Sequence, residues 1–268
     1  SFEVQFGHVE RPTHSNTVWD LAKFEVVGHR WADISEEGYG VALLNDCKYG
    51  YSARKSNISL SLLRSSKAPN PHADMGEHRF RYALYPHQGS GPSEGGVVEE
   101  GYSLNHPLRV VSLLRDRVEE MQQQQASTEN KGRMTVDSSS SSSLQTELRS
   151  KKEPSKKLQA SLIRTDSDRV VLTAMKQAED DPNCIVIRMY EAKGGRGKVG
   201  VSISPLLVEF LQSVHEVNIL EEEGNEETKT LSRAPIAIRR DVDHQGHHEF
   251  DLYFKPFEIK TIILTPNS

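Results

Sequence analysis

Apolar residues alternate with polar ones along much of this chain: Phe2, Val4 and Phe6, then Phe24, Val26 and Trp31, then Tyr39, Val41 and Leu43. A period of two predicts half-buried strands, because successive side chains on a strand point to opposite faces. Ile58, Leu60 and Leu62 alternate with serines, and Phe80, Tyr82 and Leu84 alternate with Arg79, Arg81 and Ala83, so each segment is expected to keep one face in water. Val170–Leu172, Cys184–Met189, Val199–Ile203, Phe250–Phe254 and Ile259–Leu264 are rich in β-branched and aromatic residues and read as further strands. Turn residues punctuate them: Pro12 with its fixed φ, Ser35 to Gly38, Asn45 to Gly50, and a loop from Pro69 to Gly76. Arg11 to Gly50 therefore reads as two exposed-edge strands, a turn and a polar loop. A helical period emerges first at Leu114, Val118 and Met121, predicting a helix over Leu113–Gln125.

The middle of the chain changes character. Four glutamines run from Gln122, six serines from Ser138 to Ser143, and RSKKEPSKK from Arg149 to Lys157. Such a stretch buries too little apolar surface to offset the roughly 1–2 kcal/mol of backbone entropy lost per ordered residue, so disorder is expected over 122–157. Three parts follow: 1–121 as the first part of a β region, 122–157 as a low-complexity insert, and 158–268 as the second part. The fold class expected is mainly β, a β-sandwich of packed antiparallel sheets, galactose mutarotase-like in style, with one long disordered insert. The acidic run from Glu216 to Glu227 is expected to be a solvated loop.

At 268 residues the hydrophobic fraction of 35% is low for a compact globule, in keeping with such an insert. The net charge of -5 and a pI near 6.1 argue against a nucleic-acid partner. No run approaches the ~18 apolar residues of a membrane span. Ser1 in place of an initiator Met leads to the expectation that the chain begins inside a longer protein. Cys47 and Cys184, a lone pair far apart, are expected to be free thiols in a reducing compartment.

Candidate chemistry is sparse. Retaining glycoside hydrolysis needs two carboxyl groups roughly 5 Å apart, and no such pair stands out. Asp46, at the end of an apolar strand, is the best single carboxylate for a functional role, since a strand-end loop is aimed by the sheet behind it. The residues leave a second reading open, in which Asn45 and Asp46 cap a turn through their own backbone. Asp241, Asp243, His244, His247 and His248 have zinc-ligand chemistry, but Gly246 among them and the strand that follows favour a wet hairpin turn. The scattered His8, His14, His29, His72, His78 and His87 read as structural hydrogen-bonding groups. GGRGKVG (Gly194–Gly200) is not a phosphate loop, because Ala192 stands five before Gly197 and Val199 follows Lys198; a tight turn explains it better. No GxSxG elbow is present, and RSKKEPSKK reads as a solubilising tether.

Several longer motifs do carry a resemblance. RPTHSNTVWDLAKFEV (Arg11–Val26), HRWADISEEGYGVALLNDCKYG (His29–Gly50), KAPNPHADMGEHRFRYALYPHQG (Lys67–Gly89), VVLTAMKQAEDD, VIRMYEAKGG and FKPFEIKTIIL (Phe254–Leu264) occur in order. Together they resemble the C-terminal β-rich region of glycoside hydrolase family 38 α-mannosidases of the cytosolic or vacuolar kind. The resemblance covers most of the chain except the insert. It implies the C-terminal portion of an enzyme that cleaves α-linked mannose from oligomannose glycans with retention. An N-terminal barrel of the same polypeptide would then hold the aspartate nucleophile and the zinc or cobalt, leaving this segment inactive and metal-free by itself.

By position, the resemblance places Asn45, Asp46, Lys48 and Tyr49, with Arg54 nearby, in a loop bordering the substrate cleft. Lys48 can donate to sugar oxygens, and Tyr49 offers an aromatic face to a pyranose. The same loop is equally able to serve only as glue to the barrel. Trp19 and Trp31 are expected in the core. Packing on a barrel would leave an apolar patch exposed on one face. The implied partners are an α-mannoside oligosaccharide and the barrel, with no nucleic acid and no membrane; a homo-oligomer is compatible, and the compartment is cytoplasmic or vacuolar. The rival reading is a non-catalytic β-sandwich module that binds a carbohydrate or a protein.

Overall fold

The computed structural model describes residues 1–110, 160–222, 235–240 and 246–267. Ser1–His106 and Ala160–Ser268 form one compact unit. The helix expected over Leu113–Gln125, the disorder expected over 122–157, and the end of the acidic run, residues 223–227, lie outside the described residues.

The first half is built around a five-stranded antiparallel sheet. Its order is β2 (Gly7–Val9), β1 (Phe2–Val4), β4 (Trp31–Glu36), β5 (Tyr39–Asn45) and β8 (Tyr82–Gln88). The Ser35–Gly38 turn closes the β4–β5 hairpin, with Gly38 at φ 81°, where a side chain would be strained. A three-stranded sheet of β3 (Val26–Val27), β6 (Gly50–Arg54) and β7 (Asn57–Leu60) packs over one face of β4 and β5. Phe2, Ala32, Leu43 and Tyr51 are buried between the two sheets. The opposite face, carrying Trp31, Ala42 and Leu44, is covered by α2 (Val97–Asn105), whose Val97, Val98 and Gly101 point inward. Gly101 is required there: a Cβ would lie 2.6 Å from Trp31 Cδ1.

The second half is a sandwich of two antiparallel sheets. One runs β10 (Val170–Gln177), β11 (Ile185–Glu191), β16 (Ile259–Pro266), β13 (Leu211–Val217); the other runs β14 (Arg239–Arg240), β15 (His248–Phe254), β12 (Gly197–Ile203), β9 (Ile163–Thr165). Alternate residues Val199, Val201 and Ile203 of β12 and Phe250, Leu252 and Phe254 of β15 meet Ile187 and Met189 of β11 and Ile262 and Leu264 of β16 in a fully apolar core. The period of two in the sequence is this core.

The halves are locked together. Phe6 lies edge-on to Tyr190, with centroids 5.6 Å apart, and the Tyr102 hydroxyl donates to that of Tyr190 at 3.2 Å. Lys193 bridges Glu99 of α2 at 3.0 Å and Asp168 at 2.9 Å. Buried Glu191 accepts from the backbone N–H groups of Lys193, Gly195 and Phe257, which fixes two turns at the junction.

Several expectations are corrected. Among the described residues two short helices interrupt the strands. The first, α1 (Val18–Ala22), falls in the Arg11–Gly50 run, where no helix was expected, and is started by a capping box in which Thr17 and Asp20 exchange hydrogen bonds. Trp19, on that helix, is 76% exposed rather than in the core, whereas Trp31 is buried as expected. On β8 the apolar Tyr82 and Leu84 are on the wet face, while Ala83 and Tyr85 pack in the cluster with α2 and His87 is buried against Asp33. Finally, β13 carries strand through Val217, so Glu216 belongs to a sheet and pairs with Lys260 at 2.6 Å.

Candidate functional site

Asn45 ends β5 and is 1% exposed. Its Oδ1 accepts from the N–H groups of Cys47 at 3.0 Å and Lys48 at 2.5 Å, an Asx turn that bends the chain toward β6. Its Nδ2 donates to His29 O at 2.9 Å and to the Tyr51 hydroxyl. Every polar atom of this side chain is thus spent on holding the loop. Asp46 follows and faces outward, accepting from Arg81 N–H and from Arg81 Nε, each at 3.0 Å. The Arg81 backbone N–H, aided by the Cys47 thiol and the Arg81 guanidinium, holds the Asp46 carboxyl at about 2, well below its ordinary 3.8. Hydrogen bonding to Asp46 and burial push the Cys47 thiol up, which makes it a poor nucleophile.

Asp46, Cys47 and Tyr49 form one wall of a hollow of about 370 Å³. The other walls come from distant segments: Gln5 and Phe6 of the β1–β2 turn, His29 and Arg30 before β4, Tyr102 and Asn105 of α2 with His106 just after it, and Thr173 of β10. Arg30 is anchored from below, its guanidinium bound to Glu3 at 2.5 and 2.8 Å and its backbone N–H to the same carboxylate at 2.6 Å. Burial pulls the Arg30 guanidinium down, but the pairing with Glu3 outweighs it and holds it raised. That guanidinium lies 3.7 Å from the centroid of the Tyr102 ring, and the same ring stacks with His106 at a centroid distance of 5.8 Å. Asn105 Nδ2 donates to Asn45 O at 3.0 Å and Gly101 O at 2.8 Å, tying the end of α2 to the loop. Tyr49 is 56% exposed, its ring edge-on to His29 at 5.4 Å.

The sequence-predicted site residues are therefore divided. Asn45, Asp46 and Tyr49 share the hollow. Lys48 turns away, its ammonium 5.1 Å from the centroid of Phe80 and beside Glu25 and Asp74 in a second depression. Arg54 lines a third, with Arg11, His14 and Lys23. His29 was read only as a structural hydrogen-bonding group, and Arg30, Tyr102, Asn105 and His106 escaped the residue-level reading. The His29–Arg30 pair and the Tyr102–Leu108 stretch both lay within the family resemblance, but no residue chemistry of their own marked them for this site.

Among the described residues, no group of three or more His, Cys, Asp or Glu is placed to hold a metal ion. His247 Nδ1 lies 3.0 Å from Ser202 Oγ, and His248 Nε2 lies 3.2 Å from Glu209 O; Asp241, Asp243 and His244 fall outside the described residues. Zinc or cobalt has no ligand set in the described parts of this chain. Cys47 and Cys184 are free thiols, and among the described residues no helix is long and apolar enough to cross a membrane.

The fold defines a class, a pair of joined antiparallel β-sandwiches with a side hollow between loop and helix. The chain belongs to glycosyl hydrolase family 38: residues 1–72 match the family 38 C-terminal domain, and residues 169–262 match its C-terminal beta sandwich domain. The family, which is generally metal-dependent, keeps its catalytic domain outside this chain. Over 267 residues, 100% of this chain, it is 38% identical to alpha-mannosidase G of Dictyostelium discoideum, of which it covers 20%. Over 196 residues, 72% of this chain, it is 42% identical to human alpha-mannosidase 2C1, of which it covers 15%. The chain thus spans a fifth or less of these relatives. A crystal structure of an alpha-mannosidase from Enterococcus faecalis V583 shares the fold, with a TM-score of 0.62 at 16% identity, over 98% of this chain and 24% of that one.

Proposed function

We propose that this chain is the C-terminal, non-catalytic portion of a retaining α-mannosidase acting on α-linked mannose in oligomannose glycans. It docks on a catalytic barrel supplied by the rest of the polypeptide, which also carries the zinc or cobalt. The observation that carries this reading is the apolar strip around α1. Val18, Trp19, Leu21 and Phe24 are each more than half exposed, and no residue of that helix is buried. Large apolar side chains grouped in water mark a surface that another surface covers. The family match and the names of the relatives supply the chemistry of the whole. The loop Asn45–Tyr49 then borders the substrate cleft, with Asp46 and Tyr49 free to touch a sugar, Asn45 as scaffold, and Lys48 and Arg54 on its flanks. Free thiols and the human relative support a cytoplasmic compartment, with the vacuole as the alternative.

The test joins this chain to the catalytic remainder of its own polypeptide. Assembly should restore turnover of a chromogenic α-mannoside in the presence of zinc or cobalt, while this chain alone stays inactive. Trp19→Asp with Leu21→Asp should reduce assembly and turnover by an order of magnitude or more, since buried anchors dominate an interface. Turnover by this chain alone overturns the reading. The ready-formed hollow favours the rival, a self-sufficient binding module, for which the same double variant leaves association unchanged; sizing the wild-type sample also reports any homo-oligomer.

A further inference from the structure

Two arginines of the first half are drawn out of water, and only one has a counter-ion. Arg30 has Glu3 beneath it, and the pairing holds its guanidinium raised. Arg11 has no carboxylate at ion-pair distance among the described residues: its Nη1 donates to Val27 O at 2.9 Å, and its guanidinium lies 4.8 Å from the centroid of the Phe2 ring. Burial alone acts on it, pulling the guanidinium down. Its remaining N–H groups are unspent among the described residues. A cation stripped of water without an anion is a cost that an arriving anion removes.

Arg11 lines the third depression, a volume of about 410 Å³ that Lys23 and Arg54 also border. Both are exposed, and neither side chain makes a hydrogen bond or ion pair among the described residues. Two carboxylates border the same space without neutralising it. Asp20 is turned back to the start of α1, accepting from Thr17 N–H at 3.0 Å and Thr17 Oγ1 at 2.9 Å, with His14 Nδ1 3.6 Å away. Glu10 is exposed, and its charge acts on the Ser1 ammonium and the His8 ring. The depression also runs into the apolar strip, since Asp20 lies in α1 and Lys23 closes it, while Val18, Trp19, Leu21 and Phe24 stand in water beside them. Free cations at the edge of a covered surface call for acidic groups on whatever covers it, and a guanidinium takes a carboxylate through two parallel N–H bonds.

We infer that the third depression is a charge anchor for the catalytic portion of the same polypeptide: an Asp or Glu side chain of that portion enters it and pairs with half-buried Arg11, with Lys23 and Arg54 beside it. The inference rests on the docking reading above and adds the chemistry and the place of the partner group. The apolar strip supplies area, and the anchor supplies register. A surface that docks out of register leaves Arg11 unpaired, and one that brings a lysine or arginine to the depression meets three cations.

The experiment uses the intact polypeptide. Zero-length carbodiimide coupling joins the Lys23 ammonium to a carboxylate in contact with it, and mass spectrometry of the digest names that residue. The expected product links Lys23 to an Asp or Glu of the catalytic portion. Arg54→Glu, an exposed change that leaves the core untouched, should cut its yield at least about fivefold, whereas Arg54→Lys should keep it, because charge is what that position contributes. No coupling of Lys23, coupling to Glu10 or Asp20 alone, or a yield indifferent to Arg54→Glu would each overturn the inference. Saturable binding of inorganic phosphate by the intact polypeptide that is lost in Arg54→Glu would also overturn it, by making this a free-anion site. Hydrogen exchange over residues 18–24, compared between the intact polypeptide and the 268-residue chain alone, reports docking separately. Slowed exchange beside a missing cross-link sinks the anchor and leaves docking standing, whereas unchanged exchange sinks docking and the anchor with it.

Discussion

The two halves of this molecule hold themselves together differently. The second sandwich has one continuous apolar core in which β12 and β15 face β11 and β16, and its buried polar residues, Glu191, Ser204, His248, Lys260 and Thr261, stand apart from that cluster. The first half divides a thinner apolar content between two faces of one sheet and adds buried polar locks. Glu3 grips Arg30, Asn45 grips its own loop, and Asp33 takes His87 Nε2 at 2.9 Å and the Ser35 hydroxyl at 2.9 Å. His87 is held between glycines, since a Cβ at Gly40 or Gly95 would overlap its ring. Apolar packing is tolerant of detail and gives bulk stability, whereas hydrogen-bonded charges fix directions. Both halves bury polar groups that fix directions, but in the half that carries the hollow they sit between thin apolar clusters rather than outside one thick core.

That contrast can be broken at its strongest point first. Phe250→Ala opens a cavity in the second core and should cost about 3–5 kcal/mol in denaturant unfolding, with no loss of the Tyr49 and His106 ring NMR signals in the molecules that stay folded. Glu3→Ala strands the Arg30 guanidinium against Tyr102 and should cost about 3 kcal/mol while also disturbing those hollow signals. Combining Glu3→Leu with Arg30→Met should recover most of that stability yet leave the Tyr102–His106 stack disordered; recovery of both would deny the pair its orienting role. The smallest effect is a pH dependence. The Asp46 carboxyl is lower in the folded chain, about 2, than its ordinary 3.8, so its contribution is complete above the higher value and is lost as pH falls toward the lower. Asp46→Asn should therefore flatten the stability profile in that window and lower stability by a pH-independent amount between pH 5 and 8; an unaltered acid profile would show that Arg81 does not grip the loop.

Part of the hollow was legible in the residues. Asn45, Asp46 and Tyr49 announce themselves as a polar cluster at the end of an apolar strand. Lys48 belongs to the same run, yet a side chain one position along a turn points to another face, and it found Phe80. His29, Tyr102, Asn105 and His106 were not legible, because they reach the hollow through pairing partners far apart in the chain.

The sequence by itself determined the strand period, the turns and the order of motifs that tie the chain to its family, all of which are local properties of backbone and side-chain chemistry. Only tertiary structure decided which face of each strand is dry. Alternation offers two faces to β8, and the one bearing Ala83 and Tyr85 packs in the cluster with α2 while Tyr82 and Leu84 stay exposed. The same holds for the two tryptophans, of which one lies under α2 against Gly101 and the other stands on α1 in water. Burial is a property of what packs on top, and that is written in contacts between distant segments rather than in any one stretch of residues.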